Sequence, residues 1–169
     1  MIISARIANQ QGRHNVTLVT DGREQHLPIA PGGDGFGSSL NGGQLLFLAL
    51  ATCYCNDVYR EARKRGIEIV RVRVEVNGEF PGEGMAAQNI AYRAAVDAKA
   101  PQDAVLDLMR HTDRVAEIQS TLRQATPVYL AECNARDVGP TTPIATALSS
   151  RSSKDWFSEV RTAIDDLKT

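Results

Sequence analysis

Hydrophobic and polar residues alternate in three short runs over the first 30 positions of the chain. The runs predict strands at residues 2–8, 15–20 and 24–29. The last two are separated by Asp21-Gly22, a dipeptide typical of tight hairpins. The chain is therefore predicted to begin with a three-stranded antiparallel meander.

The longest helical pattern follows a glycine-rich segment at residues 31–39. Asn41 is a favourable N-cap, and the pattern continues from Gly42 until Gly66. Its first half, up to Cys53, is apolar on every side, whereas its second half is amphipathic. Because a helix that is apolar all round is typical of a buried position, we expect a long central helix with a buried first half.

Two further strands and two helices are predicted after this helix. Valines alternate with charged residues over positions 69–76, and residues 90–97 repeat the alternation after a turn, which predicts an antiparallel pair with one face in a core. The charged residues expected to pair across these strands are Arg71, Arg73, Glu75 and Asp97. Helices are predicted at residues 102–112 and 113–124, and a final strand at 128–133. The predicted fold class is α+β.

The last third of the chain changes in composition. Residues 138–153 combine glycine, prolines and several serines, which predicts a linker, and residues 154–169 have apolar positions at helical spacing. We therefore divide the chain into a folded domain at 1–137, a linker at 138–153 and a C-terminal amphipathic helix at 154–169. That helix cannot bury its own apolar stripe, so we expect it to dock on the same subunit or on a partner subunit.

Charge and hydropathy narrow the classes of partner. The chain has 19 Lys plus Arg against 20 Asp plus Glu, a net charge of −1, so it lacks the basic field that nucleic acids attract. Its longest apolar run, Leu45 to Ala51, is far shorter than the roughly 20 residues that cross a bilayer, and the N-terminus lacks the pattern of a secretory signal. We expect no nucleic-acid or membrane partner and a cytoplasmic location.

The residues able to carry chemistry are few and dispersed. The spacing of Cys53, Cys55 and Cys133 fits neither a disulfide framework nor a zinc finger, and residues 31–39 lack the pattern of a phosphate-binding loop. We therefore predict no metal site and no cofactor. The three histidines, which show no metal-binding spacing, are His14, His26 and His111.

A combination of three motifs resembles one known family. Residues 41–53 read Asn-Gly-Gly-Gln-Leu-Leu-x-x-Ala-Leu-Ala-Thr-Cys, residues 62–67 read Ala-Arg-Lys-Arg-Gly-Ile, and residues 72–78 read Val-x-Val-x-Val-x-Gly. In this order they resemble the OsmC/Ohr family of osmotically induced and organic-hydroperoxide-resistance proteins. The resemblance covers about residues 1–137.

The resemblance implies an OsmC-like fold, in which antiparallel sheets wrap around a long buried central helix in an intertwined homodimer. It also implies active sites at the subunit interface, where two cysteines reduce peroxides with help from an arginine and a glutamate. The first cysteine attacks the peroxide, and the second closes a disulfide that an external dithiol reopens.

The family's catalytic positions match this chain unevenly. Cys53 falls on the position of the first cysteine, and Arg13 matches the family arginine loosely. Ala116 stands at the position of the second cysteine, followed by Glu117 in place of a proline, and Gly43 replaces the glutamate at the helix entry. The catalytic residues predicted here are Cys53 and Arg13.

Two hypotheses for function remain open from the sequence. In the first, a thiolate at Cys53 reduces a small organic hydroperoxide and an external thiol reductant resolves the sulfenic acid, because Ala116 cannot. In the second, Cys53 is an inert core residue and the dimer binds a hydrophobic small ligand or a protein partner at its interface pocket. The first hypothesis requires positive charge or hydrogen-bond donors at Cys53; Arg60 lies two turns further along the same helix face.

Overall fold

The computed structural model describes residues 1–135 and confirms the predicted α+β class. Within these residues five strands and three helices form, and they divide between two compact units: Met1–Leu40 with the chain from Val128, and Asn41–Pro127. The elements in chain order are β1 (Ile3–Gln10), β2 (Arg13–Thr20), β3 (Arg23–Leu27), α1 (Gly42–Lys64), β4 (Ile69–Glu79), β5 (Gln88–Ala98), α2 (Gln102–Val115) and α3 (Glu117–Arg123).

The first unit contains the predicted antiparallel meander, with the strand order β1-β2-β3. Asp21 and Gly22 both adopt positive φ angles, 47° and 83°, as a hairpin turn of the favoured twist requires. The turn is fixed further because the Ile2 amide donates to Asp21 Oδ1 at 2.8 Å. The Asp-Gly signal therefore predicted this hairpin correctly.

Helix α1 opens the second unit, and both of its ends follow the sequence prediction. The Asn41 side chain accepts from the Gln44 amide at 2.9 Å while Gln44 Oε1 accepts from the Asn41 amide at 2.9 Å, which completes a capping box. At the other end Gly66 has a φ of 66°, and the Ile67 amide returns to the Ala62 carbonyl at 3.0 Å. This is a left-handed helix stop of the kind that glycine favours.

The core of the second unit lies between the second half of α1 and the hairpin of β4 and β5. Its buried centre is closed on one side by alternating residues of the hairpin and on the other by α2. The buried members are Tyr54, Val58, Ala62 and Leu108, and the hairpin residues packed on them include Val72, Val74, Tyr92, Ala94 and Val96. The alternation of the two strands was therefore predicted correctly from the sequence.

The opposite face of the hairpin has cross-strand ion pairs. Arg71 bonds to Asp97 at 2.8 Å, and Arg93 bonds to Glu75 at 2.7 Å, all four side chains being largely exposed. The pairing of Arg71 with Asp97 was predicted correctly, whereas the cation that pairs with Glu75 is Arg93 and not the predicted Arg73. The predicted inward position of Val70 is wrong, because a register irregularity between Ile69 and Arg71 leaves Val70 exposed.

Two further predictions differ from the structure. Residues 128–133 form no strand and pair with none of the described strands, and Val128 and Leu130 are 94% and 81% exposed. The helix predicted at 113–124 is instead divided, since α2 runs on to Val115 and Ala116 is extended with ψ of 120° before α3 begins.

The first half of α1 is less buried than its composition predicts. In its first three turns only Leu50 is fully buried, and Leu48 is 57% exposed, because no element of the described chain covers that side of the helix. The predicted linker at 138–153 and helix at 154–169 lie outside the described residues. No helix within residues 1–135 is both long and apolar enough to cross a bilayer.

Gly78 in β4 is closely surrounded by other atoms. A Cβ on Gly78 would lie 2.7 Å from Phe47 Cζ, 3.2 Å from Ile90 Cγ1 and 3.3 Å from the Gln88 carbonyl oxygen. Gly78→Ala should therefore lower the free energy of unfolding by about 1–3 kcal/mol through overpacking. Urea denaturation monitored by circular dichroism measures the loss.

Gly42→Ala is the matched control for this measurement. A Cβ on Gly42 would meet nothing within 4 Å, and alanine favours the helix by about 0.5–1 kcal/mol. Equal stability of the Gly78→Ala and Gly42→Ala variants would contradict the packing described around β4.

Candidate functional site

The Cys53 sulfur is half-buried among polar groups. Its thiol donates to Asp57 Oδ2 at 3.6 Å, and Glu117 Oε2 lies 3.8 Å from the sulfur. The backbone amide of Ile118 donates to the sulfur at 3.5 Å. Cys53 therefore lies at a contact between α1 and the start of α3, with two carboxyl groups and one amide donor beside it.

Arg60 ties the two carboxyl groups together. Its Nη1 atom is 2.8 Å from Asp57 Oδ1 and 3.0 Å from Glu117 Oε1. The guanidinium thus binds one oxygen of each carboxyl group. The other oxygen of each carboxyl group lies near the sulfur of Cys53. We call Cys53, Asp57, Arg60 and Glu117 the thiol cluster.

Helical geometry and the break between α2 and α3 bring the residues of the thiol cluster together. Cys53, Asp57 and Arg60 follow one another at spacings of four and three, which places them on one face of α1. Glu117 reaches the same face because the extended conformation of Ala116 ends α2 and starts α3 against α1. The side-chain amide of Gln119 holds the contact by donating to the Leu50 carbonyl at 3.1 Å.

Burial and neighbouring charge raise the pKa of the Cys53 thiol. Burial raises the pKa of the Cys53 thiol, the Ile118 amide opposes that rise, and the charge of Asp57 adds to it. Burial, followed by the bond to Glu117, also raises the pKa of Asp57, and Arg60 opposes that rise. The pKa of Glu117 is lowered by a backbone hydrogen bond, by its bond to Asp57 and by Arg60, so the two carboxyl groups are shifted in opposite directions.

A second set of ion pairs, centred on Glu61, holds the guanidinium of Arg60. Arg60 Nε donates to Glu61 Oε1 at 2.9 Å, and Lys64 donates to the same carboxylate at 2.7 Å. The His111 ring of α2 lies 3.3 Å from Glu61. Lys64 first, and Arg60 after it, lower the pKa of Glu61 to about 2, so this carboxylate stays charged and holds Arg60 in place at neutral pH.

The thiol cluster also has the ligand types that metals use. Within residues 1–135, one set of such atoms converges: the sulfur of Cys53 and one oxygen each of Asp57 and Glu117 lie within 4.8 Å of one another. Arg60 already supplies a positive charge beside them. A thiol that donates to a neighbouring carboxyl group is an arrangement suited to moving a proton.

The two catalytic residues predicted from the sequence lie in different units. Cys53 is in α1 of the second unit, whereas Arg13 begins β2 of the first. The role of Arg13 beside the thiol stays a prediction. The arginine found in the thiol cluster is Arg60, for which the sequence offered only its position on the same helix face.

Aromatic carbon fills the space beside the helix entry. A Cβ on Gly43 would lie 2.6 Å from Cε2 of Phe80, whose ring stacks on Phe47 with centroids 6.0 Å apart. A side chain at position 43 therefore requires the Phe80 ring to move. Gly43, which by the resemblance replaces a glutamate, leaves this space to the ring.

Comparison with known families and structures gives a consistent result. The family described as "OsmC-like protein" matches residues 35–131. Among curated proteins no match is found. Solved structures with the same fold exist at low sequence identity, which supports the fold and not a particular activity.

Three of these structures illustrate the similarity. An OsmC-like protein from Mycoplasma pneumoniae is 18% identical with a TM-score of 0.50, the match covering 72% of this chain and 86% of that one. An OsmC-like protein of unknown function from Vibrio cholerae is 11% identical with a TM-score of 0.52, covering 72% and 93%. An organic hydroperoxide resistance protein from Elizabethkingia anophelis is 14% identical with a TM-score of 0.50, covering 73% and 89%.

The site predicts how Cys53 responds to pH. Because burial and Asp57 raise its pKa, alkylation of Cys53 by iodoacetamide should have a midpoint pH above that of a cysteine peptide measured alongside. The measurement uses a Cys55→Ser, Cys133→Ser background, so that only one thiol reacts. A midpoint below that of the peptide would contradict the described cluster.

Proposed function

Since this chain belongs to the OsmC-like protein family, we propose that it reduces small organic hydroperoxides with a single cysteine, Cys53. In this reaction the Cys53 thiolate attacks the terminal oxygen of the hydroperoxide and the O–O bond breaks. The products are a sulfenic acid on Cys53 and an alcohol.

The observation that carries the proposal is the surroundings of the sulfur. A cysteine that served only as packing would contact mainly carbon, yet the sulfur of Cys53 contacts the polar atoms of Asp57, Glu117 and Ile118. The Ile118 amide can stabilise the thiolate and the carboxyl groups offer an acceptor for the thiol proton, against the rise in the thiol pKa that burial causes.

Resolution of the sulfenic acid requires an external thiol. Ala116, at the position where the family has its second cysteine, is fully buried and has no sulfur. Cys55 is two residues from Cys53 on the same helix, so the two side chains point about 200° apart and cannot form a disulfide there. The proposed cycle therefore ends when a small or protein dithiol reduces Cys53.

Homodimer formation and a part for Arg13 belong to the same proposal. Apolar residues in both units are exposed, among them Leu48 on α1 and Val128 and Leu130 after the last helix. Burial against a second copy would explain why these positions are apolar. Arg13 would then assist Cys53 as the family arginine does. The cytoplasmic location stays a prediction.

The aromatic pair at the helix entry favours a second candidate function. Phe80 is 49% exposed, it stacks on Phe47, and it occupies the space beside Gly43 where the family has a glutamate. Exposed aromatic carbon at this position suits a hydrophobic small ligand better than it suits activation of a thiol. In this alternative the chain is a non-catalytic OsmC-like binding protein.

Peroxide consumption tests the choice between the two functions. We expect the protein to consume tert-butyl hydroperoxide in the presence of dithiothreitol, and we expect Cys53→Ser to abolish that consumption. Cys55→Ser is the matched control on the same helix and should stay active. If the unmodified protein and Cys53→Ser are equally inactive, the peroxidase proposal is wrong for this substrate class, and a ligand at Phe47 and Phe80 becomes the better account.

A further inference from the structure

We propose that Asp57 is the proton shuttle of Cys53: it accepts the proton of the thiol and returns it to the alkoxide that leaves the hydroperoxide. This inference rests on the proposed function, and it assigns a catalytic residue that neither the resemblance nor the sequence pattern indicated. Arg60 and Glu117 act as positioning residues, because they hold Asp57 and do not attack the peroxide.

The geometry separates the two oxygens of Asp57. Oδ1 is bound by the Arg60 guanidinium at 2.8 Å, which leaves Oδ2 to accept the thiol proton of Cys53 at 3.6 Å. The side chain is only 6% exposed, so bulk water has little access to compete for that proton. Oδ2 of Asp57 therefore faces the sulfur while Oδ1 is held by Arg60.

The charges around Asp57 suit a group that both accepts and donates. Asp57 faces Cys53 and Arg60 of its own helix and Glu117 of α3. The nearby titratable group of α2 is His111, which contacts Glu61. Burial and Glu117 raise the pKa of Asp57, which brings its proton affinity closer to that of the thiol. Proton transfer between two groups is easier when their proton affinities are closer.

The reaction balances without any further reactant. The thiol proton moves to Asp57 Oδ2, and the thiolate forms an S–O bond to the terminal oxygen of the organic hydroperoxide. The O–O bond breaks, its electron pair leaves with the alkoxide, and Asp57 gives that alkoxide the proton. The sulfur is oxidised by two electrons to sulfenic acid, and the peroxide is reduced by two electrons to an alcohol and the sulfenic oxygen.

Two reactions of Cys53 test the shuttle, because only one of them needs a returned proton. Iodoacetamide requires the thiolate and releases iodide, whereas a hydroperoxide releases an alkoxide that must be protonated. Asp57→Asn removes the carboxylate charge that raises the thiol pKa, so at pH 7 alkylation of Cys53 should stay equal or become faster. Single-turnover oxidation by tert-butyl hydroperoxide should instead fall by about 10²-fold or more.

The measurement uses the full chain in a Cys55→Ser, Cys133→Ser background, with EDTA present so that no bound metal contributes. Asp57→Glu keeps a carboxyl group and should recover part of the peroxide rate. Asp97→Asn is the control: it removes a carboxylate that pairs with Arg71 on the exposed face of the β4–β5 hairpin, outside the thiol cluster, and it should leave both rates unchanged.

The outcomes are distinct. A peroxide rate in Asp57→Asn that rises together with alkylation, or two rates that fall together, would overturn the shuttle while leaving the peroxidase function standing. An unmodified protein whose Cys53 alkylates normally and yet never reacts with the hydroperoxide would overturn both the shuttle and the proposed function.

Discussion

The guanidinium of Arg60 is the interaction on which the rest of the site depends. It bonds to Asp57 and Glu117, and so it joins α1 to α3 at the point where Cys53 lies. Two carboxyl groups facing one half-buried thiol would repel one another without a cation between them. Arg60 balances that charge and leaves one oxygen of each group near the sulfur.

Two differences from the family pattern that the resemblance implies concern the acidic groups near the Cys53 thiol. The acid that the resemblance implies at the helix entry is absent, and the Phe80 ring fills the space beside Gly43. Glu117, which by the resemblance stands in place of the family proline, has its carboxyl group 3.8 Å from the sulfur of Cys53. An acid near the thiol is thus contributed by α3 and not by the helix entry.

Local signals in the sequence were enough for most of the fold and for part of the site. The Asp21-Gly22 hairpin and the helix entry at Asn41 depend on contacts within a few residues, and both were predicted correctly. The last strand was wrong because a strand needs a partner that local pattern does not specify. In the thiol cluster, Asp57 follows Cys53 at a helical spacing, whereas Glu117 lies 64 positions away and only the turn at Ala116 brings it to the sulfur.

Trapping the first oxidation product of Cys53 tests most directly whether its thiol reacts with peroxides. The protein is treated with one equivalent of tert-butyl hydroperoxide in the presence of dimedone, which reacts with sulfenic acids, and the chain is then mapped by mass spectrometry. We predict one dimedone adduct per chain, on Cys53. An unmodified Cys53 after the hydroperoxide has been added would contradict the account.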